Sequence, residues 1–391
     1  MENIIPRYKR PIESKSDPHV KVEHWENATD AFDEKNYKTA AIETINYINP
    51  SLLEGKDTSG VVEFSHMQGS AEVHIKITDD TFSIKAPFLK ITSDTNKVAL
   101  LRKIAEVNFT PLTLVQIHQK GEELWFEYDM PITLCQPNKI YDIIREVCVY
   151  ADDYDDIFID NYKASFYKEP KYTSLTDSEK EEVWGQISNV LEDYTNYIAF
   201  LKEKRWDDFI WDIIVISLLK LSNMTYINGS LRSDLIEYIG NLFNGNINFQ
   251  HRVDKGTNFM KKLVDTPKEE IMSNVYHADL FYSLRWRSSP QIISDRLKGN
   301  LEQVQNYEKA ESNFNLSYYL QFILLKLMYD YNLEDDYKDV IHTVLEKVAG
   351  LSPSDAAPML SKAYYDLYNQ NVNKASESKP AKKGFFSKLF G

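Results

Sequence analysis

Cysteine is almost absent: Cys135 and Cys148 are the only two in 391 residues, and no C-x-x-C spacing occurs. That scarcity excludes a disulfide framework or a zinc knuckle and fits a reducing compartment. Basic residues are also in deficit, since 45 Lys and Arg against 59 Asp and Glu leave a net charge of −14. A phosphate backbone is repelled on average by such a chain, so nucleic acid is not an expected partner. Long apolar runs are missing as well. The longest, Ile210 to Leu221, is interrupted by Asp212 and Lys220 and falls short of the roughly 20 residues that span a bilayer. The opening residues hold no apolar stretch of signal-peptide length, and a cytoplasmic protein is the expectation.

The common catalytic signatures are lacking too: there is no G-x-S-x-G, no H-E-x-x-H and no G-x-G-x-x-G. Gly240 and Gly245 have the spacing of a phosphate-binding loop, but Asn246 and Ile247 stand where Lys and Ser or Thr are required. No cofactor is expected. The eight His are dispersed, and His66 with His74 is the nearest approach to a metal pair, on neighbouring predicted strands. It needs Glu63 or Glu72 to converge on the same point, and two ordinary surface imidazoles are the simpler reading. Asp152, Asp153, Asp155, Asp156 and Asp160 lack the Gly and terminal Glu of an EF-hand loop, so they read as a solvated helix end. No metal site is expected. In "YSLRWRSSP", Arg285 and Arg287 flank Trp286; they can hold a carboxylate or phosphate, and an interhelical salt bridge is the simpler expectation.

What is present is ordinary globular material: 43% hydrophobic and 27% charged residues, with 25 Tyr and 19 Phe to furnish cores and adhesive surfaces. The length favours two domains. Residues 1–25 read as an extended lead-in on which no fold rests. From Glu26 to Ile48 the apolar spacing is helical, broken by a polar corner at "DEKNY". Between Gly60 and Ile91 the period changes to two, giving three antiparallel strands through Val62 and Phe64, through Val73, Ile75 and Ile77, and through Phe82, Ile84 and Phe88. Helical spacing returns over 95–108, with Asp94 or Thr95 as cap. A hairpin follows, from Leu112 to His118 and from Leu124 to Met130, with Leu124, Phe126, Tyr128 and Met130 on one face. Val115, Ile117 and Trp125 are expected on the other. Pro137 opens a last helix with Ile140, Ile143, Ile144, Val147 and Ala151 as its buried stripe. The fold class is therefore α+β over 26–165: helix, three antiparallel strands, helix, two strands, helix.

The stretches "LLRKIAEVNFTPLTLVQIHQKGEELWFEYDMPI" and "PNKIYDIIREVCVYADDYDDIF" place a helix, a hairpin and an Asp-rich final helix in an order that resembles the type III secretion chaperone-like superfamily, including YbjN-like proteins. The resemblance covers about residues 26–162. It implies a bacterial, acidic, often dimeric protein that holds a client protein, with the client surface on the sheet around Phe64, Val115, Ile117 and Trp125.

Residues 172–370 read as a mostly α-helical domain, opening at a Thr176-x-x-Glu179 capping box, with 208–221 and 316–329 as central helices. Pro290, Pro353 and Pro358 mark boundaries or first turns. Residues 371–391 form a polar linker ending in "GFFSKLFG". Five Lys against Glu377 make this segment +4, so the rest of the chain carries −14 − 4 = −18. If helical, it gathers Phe385, Phe386, Leu389 and Phe390 on one face, suited to a partner's groove, to a weak membrane-surface contact or to its own domain. The functional expectation is a non-enzymatic adaptor or chaperone-like protein that binds protein clients and is able to dimerise. The alternatives are an enzyme with a site between the domains and a structural or regulatory component of a bacterial assembly.

Overall fold

The computed structural model describes residues 4–13, 17–69, 71–169 and 172–372. The C-terminal peptide with Phe385, Phe386, Leu389 and Phe390 lies outside the described residues.

Two helices open the fold, α1 (Val22–Asp33) and α2 (Tyr37–Ile48), folded back on each other at the polar corner. A meander follows: β1 (Val62–Gln68), β2 (Ala71–Ile77) and β3 (Thr81–Lys90). Next come α3 (Lys97–Phe109), the hairpin β4 (Gln116–Lys120) and β5 (Glu123–Pro131), and the long α4 (Pro137–Tyr162). The sheet order is β1-β2-β3-β5-β4, with the short β6 (Ser165–Phe166) pairing β3. The antiparallel α+β arrangement is the expected one. Period-two alternation sends Val62, Phe64, Val73, Ile75, Ile77, Phe82, Ile84, Leu124, Phe126 and Met130 to one buried face. There they meet α4, whose Ile140, Ile143, Ile144, Val147 and Ala151 are fully buried. The opposite face is a polar ladder, with Glu63 on Lys76 at 3.1 Å and Ser65 on His74 at 2.5 Å.

Local chemistry moves some boundaries. Asn96, not Asp94 or Thr95, caps α3 by accepting the Ala99 N–H; the Thr95 hydroxyl instead donates to the Lys163 carbonyl. Residues 112–115 are not strand, because the buried Glu146 carboxylate accepts the N–H groups of Thr113, Leu114 and Val115. The outer edge of β4 is closed by Asn108, whose side-chain amide pairs with both backbone groups of Ile117 at 2.7 and 2.9 Å.

Beyond residue 172 the chain is mostly helical: α5 (Asp177–Lys204), α6 (Ile210–Ser222), α7 (Gly229–Phe243), α8 (Phe249–Asp265) and α9 (Lys268–Met272). After an irregular stretch and β7 (Trp286–Arg287) come α10 (Pro290–Lys298), α11 (Leu301–Lys309), α12 (Asn313–Asp330), β8 (Tyr331–Asn332), α13 (Asp335–Val348) and α14 (Pro353–Tyr368). The expected capping box forms at Thr176 and Glu179. The apolar α6 and α12 are the core helices, as their composition requires. Pro290 and Pro353 sit in first turns, whereas Pro358 lies inside α14.

The described residues bury two hydrophobic clusters, one per module. The lead-in is extended but not idle, which corrects the expectation that no fold rests on it. Ile5 is buried in the helical core, and its backbone pairs with Leu351 and Gly350 at 2.8 and 2.9 Å. Arg7 binds Glu192 and Asp193, both at 2.7 Å, and Lys9 binds Glu182 at 2.7 Å. No described helix is long and apolar enough to cross a membrane.

Candidate functional site: the cavity behind the inter-module strap

The irregular stretch from 276 to 289 joins the two cores. Phe281 and Tyr282 leave the helical part and enter the α+β core. Phe281 stacks on Phe64, with ring centres 6.1 Å apart and planes 8° from parallel. The Tyr282 hydroxyl donates to that of Tyr141 at 2.7 Å, and its N–H donates to Gln68 Oε1 at 2.9 Å. The Gly69 N–H bonds to the Asp279 carbonyl at 3.2 Å. At the far end Ser288 bonds the Tyr47 hydroxyl and the Asn332 carbonyl, and β7 runs parallel to β8. With Phe281 and Tyr282 committed to one module, Ser283, Leu284 and Arg285 turn to the other and wall a cavity of about 70 Å3.

Arg285 is the principal group of that cavity. Its Nη2 donates to Asn223 Oδ1 at 3.3 Å, and the Asn223 Nδ2 donates to the Leu325 carbonyl at 3.2 Å, which aims the amide oxygen at the guanidinium. Among the described residues Arg285 makes no ion pair with a carboxylate. Burial, then the neighbouring Arg232, pull its pKa down to about 10 against the opposite pull of Asp17, Tyr329 and Glu13, so it stays charged. Arg232 lines the cavity and donates to the Ile227 carbonyl at 3.5 Å. The remaining wall comes from the lead-in with Glu13, Asp17 and His19, and from α13 with Lys338 and His342. Several of these groups already have partners: Glu13 has Arg10 at 3.0 Å, the His19 ring lies 3.1 Å from Asp335, and Lys338 lies 3.5 Å from Asp335. Burial, then Arg10, push the His342 imidazole down to about 4, so it is neutral at pH 7; its Nδ1 lies 2.7 Å from the Tyr8 hydroxyl.

A desolvated guanidinium with a neutral amide as partner, beside a second guanidinium, favours an anionic occupant. The volume suits one carboxylate or phosphate group and is well below that of a typical metabolite pocket.

The expected client surface is not assembled. Ile117 lies opposite Phe126 and His118 opposite Trp125, so Ile117 shares the face of the Leu124 set. Val115, Ile117 and Phe64 are buried in the α+β core, and Phe64 is covered by Phe281. Trp125 does face the other way. It is half-buried, donates to Glu123 at 3.0 Å, packs edge-on against Tyr167 and lies under the Lys120 ammonium at 4.9 Å.

His66 pairs with Val73 and His74 with Ser65, which puts the two imidazoles on opposite faces of the sheet. They cannot share a metal, and no cluster of potential metal ligands occurs among the described residues. The acidic run occupies the C-terminal turns of α4; of its side chains Asp155 is buried, and Asp160, in the last turn, is exposed. The salt bridge expected of Arg285 and Arg287 is not made among the described residues: Arg287 lies 4.0 Å over the Trp25 ring, and Arg145 lies 4.3 Å over Trp286. Gly240 is inside α7, where no phosphate loop exists. Asn223, Arg232 and the Tyr8–His342 pair are the members of the site with no mark in sequence pattern. No protein-family model matches this chain, and no curated protein matches it.

Proposed function

We propose that this chain is a non-enzymatic adaptor or chaperone-like protein of the bacterial cytoplasm, and that it holds a protein client through an anionic group seated at Arg285. The reading rests on one observation: Arg285 is a desolvated cation in a cavity wall whose hydrogen-bond partner is the neutral Asn223. The small volume favours the anionic tip of something larger, such as an acidic side chain, a phosphorylated side chain or a chain terminus. The superfamily resemblance and the capacity to dimerise belong to this proposal, as does a secondary contact through the C-terminal peptide with a partner or a membrane surface.

Affinity capture from the native host tests it, using the full chain, Arg285→Gln and a form ending at residue 371. The expected result is a client held by the full chain and the truncated form, with retention at least about tenfold weaker in Arg285→Gln, equal to about 1.4 kcal/mol. Equal retention by Arg285→Gln removes the cavity from the reading, and loss on truncation alone moves recognition to the C-terminal peptide.

A second reading is favoured by the same wall. His342, Glu13 and Asp17 are acid–base groups around an anion site, with Tyr8 behind His342, as an enzyme working on an anionic substrate requires. A client retained without chemical change decides for the adaptor.

A further inference from the structure

A second cavity, of about 290 Å3, lies beneath the lead-in, next to the one at Arg285. Tyr8 lines it, Tyr8's partner His342 lines the cavity at Arg285, and Pro11 borders both. Its chemically distinct member is Lys220. This residue projects from α6, among neighbours that are all buried, and is itself buried. Its amine donates to the Arg7 carbonyl at 2.6 Å and lies 5.8 Å from the centre of the Tyr8 ring. No carboxylate pairs with it among the described residues.

The charges of this corner decide what kind of ligand fits. Arg7, Lys9 and Lys220 line the cavity, and Glu182, Glu192 and Asp193 stand around it, each paired with Arg7 or Lys9. Three cations meet three carboxylates, so an anionic ligand is not called for, in contrast to the Arg285 cavity. The remaining wall is Pro11, Val190, Met224, Ala349 and Gly350, with Gln186 and Asn189 supplying amides. A small, neutral, partly polar molecule is the complement, and the group that meets it is a primary amine.

Burial, with a further contribution from Arg7 and against the pull of Asp193, lowers the Lys220 pKa to about 8. Roughly a fifth of the amine is then unprotonated at pH 7.4, against roughly a thousandth for an ordinary exposed lysine. The other titratable groups facing it are Tyr8, Lys9, Tyr194 and Tyr197, with His342 behind Tyr8. Desolvation beside a second cation is a recognised way to make lysine a nucleophile.

We propose that this cavity is a carbonyl-binding site in which Lys220 forms a reversible imine with a small neutral aldehyde or ketone. The nitrogen lone pair attacks the carbonyl carbon, and the carbonyl electron pair moves to oxygen, which takes a proton lost by nitrogen. The carbinolamine then expels its hydroxyl as water with a proton taken from solvent, and the nitrogen lone pair forms the C=N bond, leaving the protonated imine. No oxidant or reductant is needed. The protonated imine keeps one N–H for the Arg7 carbonyl and one positive charge near the Tyr8 ring, so both contacts of the resting amine survive the reaction.

The test is reductive trapping on the full chain with limiting propanal and sodium cyanoborohydride, followed by peptide mapping at several pH values. Lys220 is expected to label at least tenfold faster than the exposed Lys261 at pH 7.4, with a rate that levels off just above pH 8. In urea the preference is expected to vanish. Labelling of Lys220 no faster than Lys261 in the folded chain overturns the proposal, as does a preference that persists in urea, since it then owes nothing to the cavity.

Discussion

At residue scale, His342 and Lys220 show what burial does to a proton. The folded chain holds the His342 imidazole down to about 4, while the unfolded chain protonates it near 6.5. Between those values the unfolded state binds more protons, so stability falls as pH drops from about 6.5 towards 4, by up to roughly 3 kcal/mol. Asp212 works in the opposite sense, because burial raises its carboxyl to about 6 and its contribution is lost as pH rises through that value. Urea titrations at pH 7 and pH 5 separate the two: His342→Gln should lose less stability on acidification than the parent, and an equal loss contradicts the assignment. Lys220→Met removes a desolvated amine and leaves one carbonyl short of a donor. Its stability at pH 7 is therefore expected to match or exceed the parent's, and its urea midpoint should no longer rise between pH 8 and 10.5. Of these residues only Lys220 and Asp212 were legible in the sequence, as the charges that interrupt an apolar run. Nothing in pattern or spacing joins Asn223 to Arg285 or Tyr8 to His342, because each pair is closed by tertiary packing alone.

At element scale, two helical glycines make a paired prediction. Gly240 in α7 has open space where a Cβ would go, so Gly240→Ala should gain about 0.5–1 kcal/mol from helix propensity. In α8 a Cβ on Gly256 would stand 2.9 Å from Ile214 Cγ2 and 3.2 Å from Leu242 Cδ2. The branched methyl of Ile214 cannot swing away, and overpacking costs about 1–3 kcal/mol, so Gly256→Ala should lose stability on balance. Urea midpoints of the two variants moving in the same direction would contradict this reading of α6, α7 and α8. Elements were the most legible level of the sequence: the strand alternation, the Pro137 helix start, the capping box and the two core helices all follow from local rules. The exception is β4. Its apolar residues are too few to fix register, and a shift of one residue carries Ile117 from one face to the other. Glu146 and Asn108, distant in sequence, determine where that strand begins and how its edge closes.

At the scale of the whole molecule, the strap makes two cores into one structure. "DLFYSLRW" carries aromatic residues in a segment without helical spacing, the one sequence sign that it enters a core other than its own. Phe281→Ala should cost about 3–5 kcal/mol and separate the melting of the two modules in calorimetry. A single transition with an unchanged midpoint would show that Phe281 does not join them. The cavity at Arg285 exists because the strap and the lead-in close over α6, α7 and α13. The most direct test is to titrate short peptides bearing an acidic side chain, a phosphorylated side chain or a free C-terminal carboxylate, each beside an uncharged twin, into the full chain and into Arg285→Gln. At least one anionic peptide should bind the parent and lose about tenfold or more in the variant, while its uncharged twin binds neither. Anionic peptides that bind both proteins equally, or none that binds the parent, contradict the assignment of Arg285 as the recognition group.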